Sequence, residues 1–141
     1  MTALLCAKKI AGLAQSAGIP LTNLKLQKLV YYCQAWHLAL RGGELFPDNI
    51  EAWVHGPVVR GVFAYYKQCN GAIEPIQCDA ADAHLQEVFQ AYGSFDGLQL
   101  ERMTHSELPW MEARAGLAPD APSRNIISVA TMRDFYRKLN G

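Results

Sequence analysis

The chain has 141 residues, half of them apolar, and its thirteen basic and thirteen acidic side chains cancel. That length fits one domain over residues 1–141 with material for a proper core. The balanced charge excludes the broad basic footprint expected of a protein that binds nucleic acid or an anionic membrane through its net charge. Cys6, Cys33, Cys69 and Cys78 form no Cys-x-x-Cys pair, and Cys6 and Cys33 fall on apolar stripes, the pattern of reduced core thiols in a cytoplasmic protein.

In chain order, the first segment carries Lys8 and Lys9 inside its apolar run, which fits neither a signal peptide nor a membrane span. Cys6, Ile10, Leu13, Ala14 and Ala17 keep helical spacing, and Gly18 followed by Ile19-Pro20 stops the helix. Thr22 is the expected N-cap of a second helix, about residues 22–41, ending at Gly42-Gly43. At 100° per residue, Leu26, Leu29, Val30, Cys33, Trp36, His37 and Leu40 form one stripe, with Leu24, Tyr31 and Leu38 nearly opposite. Two apolar faces predict a central helix with neighbours on both sides. Lys25, Gln27, Lys28 and Gln34 then fall at the margins. Cations in the first two turns oppose the helix dipole by a few tenths of a kcal/mol, so helix energetics do not account for Lys25 and Lys28.

Ile50, Ala52 and Val54 alternate with Glu51, Trp53 and His55, predicting a short strand closed by Gly56, with Pro57 opening a third helix that runs to Gly71. Residues 73–76, "IEPI", read as an edge strand, and Asp79 as the cap of a helix carrying Leu85, Val88, Phe89 and Tyr92. Two short helices follow with a break at "THSELPW", where Thr104 and Glu107 have capping-box spacing and Pro109 restarts the helix. Residues 117–123, with two prolines and no period, read as an exposed loop. "RNIIS" is a candidate third strand, and Ser128 caps a last helix bearing Val129, Met132, Phe135, Tyr136 and Leu139. The fold class is α+β, mainly α: a helical domain around the central helix with a small antiparallel sheet of two or three short strands.

His37, His55, His84 and His105 show none of the spacings that place metal ligands on one face, so no metal or cofactor is expected. Cys33 and His37, four apart, read as an inert thiol beside a core histidine rather than an activated pair. There is no Gly-rich phosphate loop or nucleophile elbow, and no catalytic residue is assigned.

The segments "LTNLKLQKLVYYCQAWHLAL", "LFPDNIEAWVHGPVVRGVFAYYK", "YGSFDGLQLERMTHSELPWMEARAG" and "IISVATMRDFY", in this order, resemble the Panacea antitoxin domain, also called the SocA-like or GepA phage-associated family. Asp96-Gly97 replaces the family's usual Ser-Ala, and Phe63 stands where a tyrosine is common. The resemblance implies a mainly helical domain with a small sheet, acting as the antitoxin of a bacterial or prophage two-gene pair. Its partner would be a cognate toxin encoded by an adjacent gene and bound directly, with delivery to a cellular protease as a further role of some members. It implies no DNA-binding extension.

Leu26, Leu29, Tyr31, Tyr32, Trp36, Trp53, Gly56, Pro57, Glu107, Pro109 and Trp110 are assigned to the scaffold motif. Asn23, Lys25, Gln27 and Lys28, with His55, Arg60, Thr104 and His105, are the candidate partner surface. The competing expectation is that the two lysines are a solvated margin whose replacement by Ala costs about 0.5 kcal/mol or less. A small enzyme using His55 or His105 as general base and a transcriptional regulator are the alternative functions. Scattered ligands and unpaired thiols predict that chelator and reducing agent leave the melting temperature unchanged; a fall of several degrees with chelator would reveal a metal site.

Overall fold

Thr2 accepts a hydrogen bond from the Leu5 N–H and starts α1 (Ala3–Ala17), which Gly18 closes in the left-handed region at φ 68°. Thr22 does the same for α2 (Asn23–Arg41) through the Lys25 N–H, and Gly42 ends it at φ 83°. The computed structural model describes all 141 residues, which form seven helices and a two-stranded sheet. Thirteen of the nineteen residues of α2 are buried. α2 packs on α1 and on the elements α3 (Arg60–Gln68), α4 (Ala83–Tyr92), α5 (Gly97–His105) and α7 (Val129–Leu139). The predicted central helix is therefore present, with Leu26, Leu29, Val30 and Cys33 on one side and Tyr31 and Leu38 on the other, all at most 1% exposed. The stripe ends early: His37 is half-buried with Nδ1 2.7 Å from the Gly43 carbonyl, and Leu40 is exposed.

The lysines are not at a solvated margin. Lys25 and Lys28 are 6% and 0% exposed, because α3, α4 and α5 close over the first turns of α2.

The predicted strand is β1 (Glu51–Trp53), but Gly56 does not end the extended chain. Gly56–Val58 forms β2, antiparallel to β1 in the register Glu51–Val58, Ala52–Pro57, Trp53–Gly56. Pro57 lacks an N–H, which a two-stranded edge tolerates, and α3 starts only after Val59. Residues 73–76 form no strand. They strap across α1, with the Ile76 N–H donating to the Lys8 carbonyl at 3.0 Å, and Gly12 makes room for the Ile76 carbonyl, which a Cβ would meet at 2.3 Å. The expected third strand shrinks to a bridge between Glu51 and Ile126, flanked by main-chain bonds from Ala52 to Asn125 and from Ile127 to Ile50.

Asp79 caps a 3-10 turn (Ala80–Asp82) leading into α4, and Lys9 of α1 donates to both Asp82 oxygens at 2.8 Å. Asp96 and Gln99 form the capping box of α5. The capping box expected at Thr104 and Glu107 is absent. The Thr104 hydroxyl donates to the Glu101 carbonyl inside α5, and Glu107, at the N-cap of α6 (Leu108–Ala113), makes no side-chain cap bond. Its carboxylate instead points inward. Tyr32 and Tyr136 donate to Glu107 Oε1 at 2.7 and 2.8 Å, and the Tyr31 hydroxyl lies 2.9 Å from that of Tyr136. With Tyr136 donating to Glu107, Tyr31 is the donor to Tyr136. Burial raises the pKa of Glu107, against the two tyrosine hydrogen bonds, and burial raises those of all three phenols. The Tyr32 and Tyr92 rings stack at 4.0 Å, and Trp36 Nε1 donates to the Tyr92 hydroxyl. One apolar core of 26 residues surrounds this cluster, and no helix is long and apolar enough to cross a membrane.

Two substitutions separate the apolar and polar parts of this core. Leu29→Ala should cost about 2–5 kcal/mol through lost burial and a residual cavity. Glu107→Ala should cost about 1–3 kcal/mol for each of the two tyrosine hydroxyls left without an acceptor. Urea unfolding of each variant measures both. A Glu107→Ala protein as stable as wild type would mean that water replaces the carboxylate.

Candidate partner-binding site

The start of α2, the β1–β2 hairpin, α3, α5 and residues 122–124 together bound a cavity of about 570 Å3. Its walls are apolar: Leu24 from α2, Trp53, Val54 and Val58 from the hairpin, and Phe63 from α3, whose ring meets Trp53 edge-on at 4.9 Å. Leu98, in the first turn of α5, is 60% exposed at its edge. The polar residues of the lining are Gln27, Lys28, His55, Ser123, Glu101 and Arg124.

Lys28 reaches this place because Gly56 lets it. Gly56 has φ 111°, a left-handed conformation that side chains avoid, and a Cβ there would lie 2.5 Å from Lys28 Cε and 3.0 Å from Thr104 Oγ1. The His-Gly-Pro turn is thus a lid of bare backbone over the lysine. The Lys28 ammonium donates to the Pro57 carbonyl at 3.4 Å, a long bond for a group with three donors. Burial pulls its pKa down to about 7, against the opposing charge of Glu101. His55 Nδ1 lies 3.2 Å from Glu101 Oε2. His105 lies flat on Trp110 at 4.0 Å, with its Nε2 buried and unbonded. Burial lowers the pKa of His105, as does the charge of Lys28, while Glu101 raises it.

The structure gathers part of the residue set expected from sequence. Gln27, Lys28 and His55 line the cavity, and Thr104 and His105 sit behind the hairpin turn. Gln27 Oε1 accepts from the Val59 N–H at 3.0 Å and its amide donates to Asn23, which donates to the Phe63 carbonyl. Lys25 lies elsewhere, donating to the Gly93 carbonyl at 2.6 Å where α4 ends. Arg60 is held by Glu51 at 2.6 Å. Burial of Glu51 opposes its ionisation, but hydrogen bonds from Arg60 and Trp53 prevail and hold its pKa below the usual carboxylate value.

Sequence reading missed Leu98, Glu101, Arg114 and Arg124. Glu101 precedes Thr104 by one helical turn, a legible signal. Arg124 opens the segment read as a third strand and carries no such signal; it is exposed and forms no salt bridge, though its charge helps to lower the pKa of Glu51. Arg114 is 5% exposed and binds only carbonyls, those of Ala52, Ala118, Pro119 and Ala121, at 2.8–3.3 Å. Its guanidinium also lies over the Trp110 ring, whose Nε1 donates to the Trp53 carbonyl. The loop is thereby tied to β1. No three His, Cys, Asp or Glu side chains are placed to share a metal ion.

Lys28 has a defined pH signature. The unfolded chain keeps this proton to about pH 10, the folded chain releases it near 7, and so the unfolded state binds more protons between those values. The wild type should gain stability relative to Lys28→Met as pH rises from about 7 to about 10, with a constant deficit below that window. Urea unfolding at several pH values tests this, and a flat difference would mean that the ammonium is solvated.

No curated protein and no solved structure matches the chain. The sequence pattern of the family described as antitoxin SocA-like, Panacea domain, matches residues 26–111, more than half of the chain. The matched span runs from Leu26 in α2 through the hairpin to Met111 in α6. It holds most of the cavity lining and Glu107, while α1 and α7 lie outside it. By that match, the chain belongs to the SocA-like Panacea antitoxin family.

Proposed function

We propose that this protein is the antitoxin of a bacterial or prophage toxin–antitoxin pair and neutralises a toxin encoded beside it by direct protein–protein binding. The observation that carries this reading is the family match over residues 26–111. Its matched span supplies most of the residues that line the cavity. His55 contributes to the binding surface, while the buried Gln27 and Lys28 form the floor beneath it and Thr104 and His105 support it from behind. Lys25 and Arg60, each engaged within the protein, act on the scaffold.

One observation favours an enzyme as the second reading: the pair of His55 and Glu101 beside a buried amine has the make-up of an acid–base site. The two readings separate in cells. Co-expression with the product of the neighbouring gene should restore growth and the two chains should co-purify. A neighbour that is harmless, or toxic but neither bound nor rescued, would refute the antitoxin reading. With His55→Ala, a binding antitoxin should lose co-purification and rescue together, whereas an enzymatic antidote would lose rescue while the two chains still co-purify.

A further inference from the structure

We infer that the cavity is the socket for an acidic segment of the toxin, one that places an apolar side chain against Leu98 and Phe63 and a carboxylate at Arg124. This inference rests on the antitoxin reading and adds the chemistry of the partner.

Three features converge on this. Leu98 projects into solvent at the edge of the cavity while the walls behind it are apolar, so an inserted aliphatic or aromatic side chain would remove both from water. The charges at the rim do not cancel. Glu101 is engaged by His55, and Glu51, the carboxylate that feels the charge of Arg124, is already bonded by Arg60. Arg124 is exposed and forms no salt bridge, so two guanidinium groups share one carboxylate. A carboxylate on an incoming segment supplies the missing charge, and Arg124 can hold it by two parallel N–H bonds. The surplus positive charge lies in the lining of an apolar pocket. Phosphates along a nucleic acid need a row of cations, and this chain has equal numbers of acidic and basic residues. The observations therefore favour a protein segment. The volume of about 570 Å3 is within the roughly 300–1,000 Å3 typical of specific pockets.

The experiment is a titration of the adjacent gene's product with wild type, Arg124→Glu, Arg124→Gln, Leu98→Ser and Leu40→Asp. Leu40 is an exposed leucine that does not line this cavity. All four variants, at three positions, change exposed side chains, and melting curves check that each protein is folded. Arg124→Glu should weaken binding about ten-fold or more at low salt, with Arg124→Gln intermediate and the loss shrinking as salt screens the charge. Leu98→Ser should weaken binding by about ten-fold with little salt dependence, and Leu40→Asp should bind as wild type does. If wild type binds and rescues while the Arg124 and Leu98 variants do so equally well, the socket is refuted and the antitoxin reading stands. If wild type does not bind the neighbour's product, both fall. A complex that disappears on nuclease treatment would replace the protein segment with nucleic acid and overturn the inference.

Discussion

A helix buried on nearly every side obliges each polar side chain it carries to find its partner inside the protein, because an unpaired buried polar group costs several kcal/mol. The rest of this fold can be followed outward from α2 on that constraint. Asn23 bonds the Phe63 carbonyl in α3, Lys25 the Gly93 carbonyl after α4, and Gln27 the Val59 N–H where α3 begins. Lys28 reaches the Pro57 carbonyl in β2, and Gln34 bonds the Leu45 and Phe46 main chain. Tyr31 and Tyr32 extend this through Tyr136 and Glu107 to α7 and α6. Most of these bonds end on a connection rather than on a regular element. α2 therefore contributes more than apolar area: its polar residues set where the chain turns.

The period of the apolar residues made α2 legible as a central helix, and local cap chemistry located its ends at Thr22 and Gly42. The same period misled about Lys25 and Lys28. A margin between two apolar stripes is wet only if no third element covers it, and whether α5 and the hairpin do so is tertiary information absent from a helical wheel. The Thr104 and Glu107 spacing failed for a related reason. The N–H groups of that turn are bonded by local backbone carbonyls, and two phenols outside the local sequence compete for the carboxylate. Pro57 reads as a helix opener by local statistics, yet pairing with Ala52 decides its state.

The candidate site was half visible. The resemblance drew attention to the start of α2 and to His55, and these meet at one cavity. What period and motif could not supply was the far wall. Leu98, Glu101 and Arg124 come from two later stretches, and their meeting at one cavity depends on the order in which helices pack around α2. Gly56 is the residue where motif and geometry agree most fully: bare backbone at positive φ is what lets the hairpin turn lie on the lysine.

Arg114 recognises the segment after α6 solely through main-chain oxygens. Such a clamp is blind to the identity of the residues it holds. Substitutions at 118–121 that keep the path of the chain leave the clamp intact, because no side chain there is part of it. The next step is less free, since Ser123 Oγ accepts from the Asn125 N–H at 3.0 Å. Arg124, whose side chain forms no salt bridge, can change without breaking one, so the charge of this rim is separable from the main-chain path that holds it.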